Sequence, residues 1–271
     1  MRAWSLSIAL LLGCQPAPEE RRPSFIDGPR LLAVRAQPAE ARPGATITLE
    51  ALRVDAIEPP TFAFCVKGRS AAEYNAVDDA CLGDGPFIIP IAATATLPLD
   101  GCALFGSEPR PPPPGQPPLR PADPDETGGY FQPVRVAGHA IEGFGAVRLS
   151  CELPAVPAGI AQAYRERFRP NRNPTGLTLE LTEGRLTARW DPESREPFVR
   201  FDVASGQLEE RSERLRISWF STGSPLPTDV TEVPEGNEAS LEFPLEGRLT
   251  RVWAVLRDDR GGITWAFIET G

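Results

Sequence analysis

The sequence predicts an all-β protein, two β-sandwich domains in tandem with one short helix near their junction. Three observations predict it. Through the second half of the chain, short runs rich in Val, Ile, Thr, Phe and Trp recur every ten residues or so between turn-forming clusters, the pattern of a sandwich. Several runs alternate apolar and polar residues with the period of two that a half-buried strand needs. Only Ala158 to Arg169 carries apolar residues at helical spacing, at Ile160, Ala163, Tyr164 and Phe168.

The chain opens with Met1-Arg2, an apolar or small run from Ala3 to Gly13, and Cys14. One positive charge before a short apolar stretch has the layout of a secretory signal peptide. The stretch is too short to span a bilayer, which takes about 20 residues. Leu11-Leu12-Gly13-Cys14 resembles the bacterial lipobox. The resemblance implies cleavage before Cys14, a diacylglyceryl thioether on its sulfur, and acylation (palmitate is one such chain) of the new amine. The competing reading is an ordinary signal peptide with a chance Cys. Gln15, where Asp would mark inner-membrane retention in Gram-negative bacteria, favours the outer membrane. Residues 14–29 are polar and Pro-rich and read as a tether, expected to hold the first domain near the membrane and the second farther out.

The first domain is expected over residues 30–170. Arg30 to Ala36 reads as a strand, Pro38 to Gly44 as a turn, Ala45 to Val54 as an alternating strand and Thr61 to Val66 as a third. This opening resembles the first strands of bacterial immunoglobulin-like domains. Residues 67–85 read as loop and 86–99 as β-like. The Pro-rich stretch 109–133 favours extended or irregular backbone over a ladder strand and is read as a long loop within this domain. Residues 130–136 and 144–153 look like further strands. Arg165, Arg167 and Arg169 load the end of the helix, where cations suit its dipole. Pro170 ends it, and Asn171 to Pro174 reads as the turn at the junction.

The second domain is expected over residues 171–271. Leu177 to Leu181, Thr187 to Trp190, Pro197 to Val203, Leu215 to Ser221, Ala239 to Pro244 and Thr250 to Arg257 read as strands. The last of them runs through Asp258-Asp259-Arg260-Gly261-Gly262 into Ile263 to Ile268 as a hairpin. Trp219 and the segment Val255 to Gly262 resemble bacterial immunoglobulin-like and polycystic-kidney-disease-type repeats. The combined layout resembles predicted surface lipoproteins of myxobacterial type, through Cys102 to Gly106, Pro121 to Arg135 and Asn171 to Pro174. That resemblance implies no established activity.

Five cysteines are present. With lipid on Cys14, the remaining four (Cys65, Cys81, Cys102 and Cys151) fit two disulfides in an exported chain, with three pairings open. Cys65–Cys81 with Cys102–Cys151 is favoured because each pair closes one segment without crossing. The four lack the close pairs of a structural zinc site. The net charge of −9 leaves no electrostatic case for nucleic acid.

No catalytic set, cofactor or metal site is expected. The one histidine, His139, has no partner motif around it. The adjacent carboxylates of Asp258 and Asp259 point apart on an extended backbone and read as a turn rather than a calcium loop. Asp123, Asp125 and Glu126 read as an acidic loop. Trp253 and Trp265 lie on the two arms of the final hairpin. If Val252, Ala254 and Leu256 face the core, Trp253 faces outward, and an outward pair would make a contact patch for a glycan or another envelope protein. The favoured alternative is that one or both pack under a loop or against the first domain. The expected function is a lipid-anchored envelope module without enzymatic activity. The alternative is a periplasmic solute-binding protein or enzyme whose site is built from scattered residues.

Overall fold

Apolar residues at alternate positions sort the first half of the chain into two facing sheets. One consists of β1 (Arg30–Gln37), β3 (Thr46–Val54) and β6 (Thr94–Thr96), in the order β1-β3-β6. The other consists of β2 (Glu40–Ala41), β4 (Thr61–Cys65), β5 (Ile88–Ile91), β7 (Gly129–Gly138) and β8 (Ile141–Ser150), in the order β2-β8-β7-β4-β5. The computed structural model describes residues 22–270 apart from 56, 69–76, 108–113, 116–125, 139–140 and 244–249. Val34, Ile47 and Leu49 from the first sheet pack on Phe62, Phe64, Val134, Val136, Val147 and Leu149 from the second. The stretch 86–99 is divided between the sheets, because β5 pairs with β4 whereas β6 pairs with β3.

α1 (Gly101–Phe105) stands where the sequence pattern shows no element; five residues carry no helical period. Disulfides join Cys65 to Cys81 and Cys102 to Cys151. The second ties α1 to the end of β8 across 49 residues. By loop-closure entropy it stabilises by about 4 kcal/mol. Replacing Cys102 and Cys151 together by alanine is therefore expected to lower the unfolding free energy by about 2–4 kcal/mol, read from urea midpoints.

The second half repeats the plan. β9 (Thr178–Thr182), β10 (Arg185–Arg189) and β15 (Glu238–Glu242) form a sheet in the order β15-β10-β9. It faces the sheet β14-β13-β16-β17, made of β13 (Leu215–Ser221), β14 (Val230–Val233), β16 (Thr250–Asp258) and β17 (Ile263–Thr270). Trp219 is fully buried at its centre among Leu186, Ile217, Val252 and Leu256. Its indole N–H donates to Thr231 Oγ1 at 3.0 Å, which satisfies the one polar atom the core would otherwise strand.

β11 (Pro197–Asp202) and β12 (Gln207–Ser212) pair only with each other, a hairpin outside both sandwich sheets. α2 (Ala158–Arg167) packs on it through Tyr164, with Leu153, Val199, Phe201 and Leu208. The helix stops at Phe168, which is already extended (φ −60, ψ 133), two residues before Pro170.

Within the stretch read as a short tether, residues 22–26 are packed against the fold rather than extended into solvent. Arg22 Nη1 donates to the carbonyls of Leu226 at 2.7 Å and Pro227 at 3.0 Å. Ile26 N donates to Ser221 O at 2.9 Å, and Ser221 N donates to Ser24 O at 2.8 Å. Ser24 and Ile26 are buried. The backbone of Ser24 and Ile26 pairs with Ser221 at the end of β13, beyond the last residue that β14 reaches, so the segment lies against the second sandwich. A chain anchored upstream of residue 22 thus meets the second sandwich first, not the first one.

Candidate functional site

Strand alternation in β16 sends Val252, Ala254 and Leu256 into the second core and Arg251, Trp253, Val255 and Arg257 to the outer face. That face is not open. Leu32, Ala33, Leu52 and Val54 of the first sandwich, with Ile26, cover Trp253 and Val255 and their neighbours on the same face, Phe220, Ile263 and Trp265. A bulge in β1 makes this fit, since the register shifts between Leu31 and Ala33. The extra residue lets Leu32 and Ala33 both face the second sandwich while Val34 returns to the first core.

The outward tryptophan pair, the less favoured of the two sequence readings, is not formed. Trp253 points away from its own core yet is only 3% exposed, because the first sandwich lies over it. Trp265 is half-buried with the Arg35 guanidinium 4.4 Å above its ring. Phe267, one strand position further along the same face, is the exposed aromatic, at 59%. Trp253, Trp265 and Phe267 line a groove of about 460 Å³ together with Asp55 and Arg251, and Arg251 is itself paired with Glu269.

At the far end of the same interface lies a buried charge cluster. Glu40 on β2 takes Arg148 of β8 at 3.3 Å and Arg260 of the β16–β17 turn at 3.0 Å. It also accepts from Ser150 Oγ at 3.1 Å and from Asn171 N at 2.8 Å. Arg260 reaches Glu213 at 3.3 Å, donates to Arg169 O at 2.9 Å and lies 5.1 Å over the Phe198 ring. Asp258 accepts from the Arg260 and Gly262 amides at 2.8 Å each and from Asn171 Nδ2. The turn is shaped for this: a side chain at Gly262 would strike Asp258 Oδ2 and the Arg172 carbonyl.

All six residues (Glu40, Arg148, Asn171, Glu213, Asp258 and Arg260) are at most 6% exposed. Burial, reinforced by the Asp258 charge, pushes the Glu213 carboxyl up to about 8. Burial also raises Asp258 to about 6, against the amide hydrogen bonds it accepts. Two guanidinia face three carboxyls here, so a proton held on Glu213 leaves two charges of each sign. The cluster can fix the two sandwiches in one register, as buried ionic groups do elsewhere. Asp258 is spent on it, and among the described residues no group of three or more His, Cys, Asp or Glu is placed to hold a metal ion.

Of this cluster the sequence draws attention only to Asp258, and that as a turn residue rather than a calcium ligand. Glu40 looks like a turn residue, and its partners Arg148 and Arg260 stand 108 and 220 positions away. Asn171, Asp258 and Arg260 lie within the segments that carry the family resemblances, and that is their one signal in the sequence. Cys14, His139, Asp123 and Asp125 lie outside the described residues, as does most of the Pro-rich stretch.

No protein-family model matches the chain, and no curated protein matches it. Among solved structures it is similar to a two-domain fibronectin type-III segment of chicken tenascin, at 13% identity over 89% of this chain and 99% of that one, with a TM-score of 0.27. It is also similar to the chicken interferon gamma receptor alpha chain (10% identity, 89% and 97% covered, TM-score 0.25). A third is the FN1–FN3 segment of chicken CNTN1 (11%, 90% and 99%, TM-score 0.27). At these TM-scores the likenesses add nothing to the strand orders and cores described above.

Proposed function

We propose that this chain is a lipoprotein of the bacterial cell envelope, held to the membrane by lipid on Cys14 and acting as a non-enzymatic binding or structural module. The observation that carries the proposal is the order of the N-terminus: one positive charge, a short apolar run, then Leu-Leu-Gly-Cys. Lipid chains contribute about 0.8 kcal/mol per buried methylene, and two or more chains hold firmly where one does not.

The cysteine pattern supports this reading. Cys65, Cys81, Cys102 and Cys151 are all in disulfides, which persist in oxidising, extracytoplasmic compartments. Cys14 is then the one cysteine left for another chemistry. Gln15 favours the outer membrane, and the partner is another envelope protein or a glycan. Two sandwiches locked through a buried interface suit a rigid module of that kind.

Cys14→Ser with cell fractionation tests the proposal. The wild-type chain should sit in the membrane fraction, with its first peptide carrying the mass of the lipid. The variant should carry none. A Cys14→Ser protein that is cleaved and still membrane-bound overturns the anchor.

A further inference from the structure

We propose that the cleft between β1 and β8 binds a small organic anion, a carboxylate with an apolar tail, and that Arg257 holds its charge. This does not rest on the membrane anchor. The cleft has a volume of about 420 Å³ and lies where the two sandwiches meet, with Arg257 and Ile263 of the second closing it against the first. Clefts of this size at domain junctions are common small-molecule sites.

Arg257 is the unusual group in it. Its guanidinium donates to Ser218 Oγ at 3.0 Å and to Leu32 O at 2.9 Å, two neutral acceptors. Among the described residues no carboxylate stands within ion-pair distance of it, in a protein of net charge −9. Its cross-strand neighbour on the same face is Arg216, and like charges so placed repel. Glu232 stands opposite Arg216 on the other side, so the unbalanced charge falls on Arg257. Burial and Arg216 together push the Arg257 guanidinium down to about 10, as expected of a cation short of solvent and of a counter-ion.

The rest of the lining selects the anion. Arg30 adds a second guanidinium, bonded to the Pro23 carbonyl at 2.7 Å and, among the described residues, to no carboxylate. Glu142 is the one acid that lines the cleft, and it is taken by Arg135 at 2.7 Å. Apolar wall comes from Leu31, Ile141, Phe144 and Ile263. Gly143 and Gly145 leave β8 as bare backbone there. A Cβ at Gly145 would lie 2.3 Å from Val34 Cβ, so the close approach of β1 and β8 beside the cleft requires glycine. A guanidinium matches the two oxygens of a carboxylate, and the apolar wall takes an alkyl tail.

Calorimetric titration of the full chain with hexanoate, hexanol and acetate tests this. Hexanoate should bind saturably at one site, with hexanol and acetate each at least tenfold weaker. Arg257→Met should weaken hexanoate at least tenfold, and Arg257→Lys, which keeps the charge, should weaken it less. Phe144→Asp puts a fixed carboxylate in the wall without touching Arg257 and should abolish binding, which keeps the test valid if Arg257→Met disturbs the interface. Absence of saturable hexanoate binding, equal binding of hexanol, or unchanged hexanoate affinity in a folded Arg257→Met or Phe144→Asp protein overturns the proposal.

Discussion

Glu40→Ala should destabilise the protein by about 3–5 kcal/mol, the usual consequence of removing one member of a buried ion pair. Glu40 has no exposed side-chain surface, and its two oxygens answer Arg148, Arg260, Ser150 and the Asn171 amide. Deleting the carboxylate leaves Arg148, 4% exposed, with no carboxylate and Arg260, 3% exposed, with Glu213 alone. Neither can shed its charge near neutral pH, and neither can reach water without opening the interface. The loss should appear first as undocking. Arg260 belongs to the second sandwich and Glu40 to the first, so the contact over Trp253 should loosen before either core melts. A red shift of tryptophan emission at denaturant concentrations where far-ultraviolet dichroism is unchanged would show this. Emission and dichroism falling together, with a loss under 1 kcal/mol, would mean that the cluster does not hold the interface.

Much of the fold is legible because it follows from local pattern. The alternation in Thr46–Val54 directs Ile47 and Leu49 to the core and Thr46, Thr48 and Glu50 outward, and the structure places those residues accordingly. The outer face of β16 shows where such reading stops. Periodicity says that Trp253 leaves its own core, and it does. What covers it depends on a bulge in β1, more than 200 residues earlier in the chain, and on Leu32 and Val54 arriving together. The cluster around Glu40 is less legible still. A Glu beside a Pro-Gly turn, an Arg within a strand and an Arg in a hairpin turn each look like exposed charges. Only the packing of the two sandwiches on each other makes them buried. The split of residues 86–99 between two sheets has the same origin: β5 pairs with β4 and β6 with β3, and those partners, distant in sequence, decide which sheet each joins.

Stability should fall as pH rises from about 4.5 toward 8, the reverse of what carboxylates in salt bridges usually produce. The unfolded chain gives up the Glu213 proton near 4.5, whereas the folded protein holds it up to about 8; for Asp258 the values are 3.8 and about 6. Between those limits the folded state binds more protons, so raising the pH favours unfolding. Below them both states are protonated and the effect vanishes, and above about 8 it levels off. At about 1.4 kcal/mol per unit of difference, the two groups together make the loss on the order of several kcal/mol. Ionised Glu213 would face Arg260 at 3.3 Å, but also the negative charges of Asp258 and Glu196. Arg260 is already shared with Glu40, so the third negative charge has no cation of its own. Glu213→Gln removes the titration and keeps an oxygen to accept from the Glu196 amide. It should flatten the stability profile between pH 6 and 8 and be more stable than the wild type at pH 8. An unchanged slope in Glu213→Gln, or wild-type stability that rises from pH 5 to 8, would show that the cluster carries its third negative charge without strain.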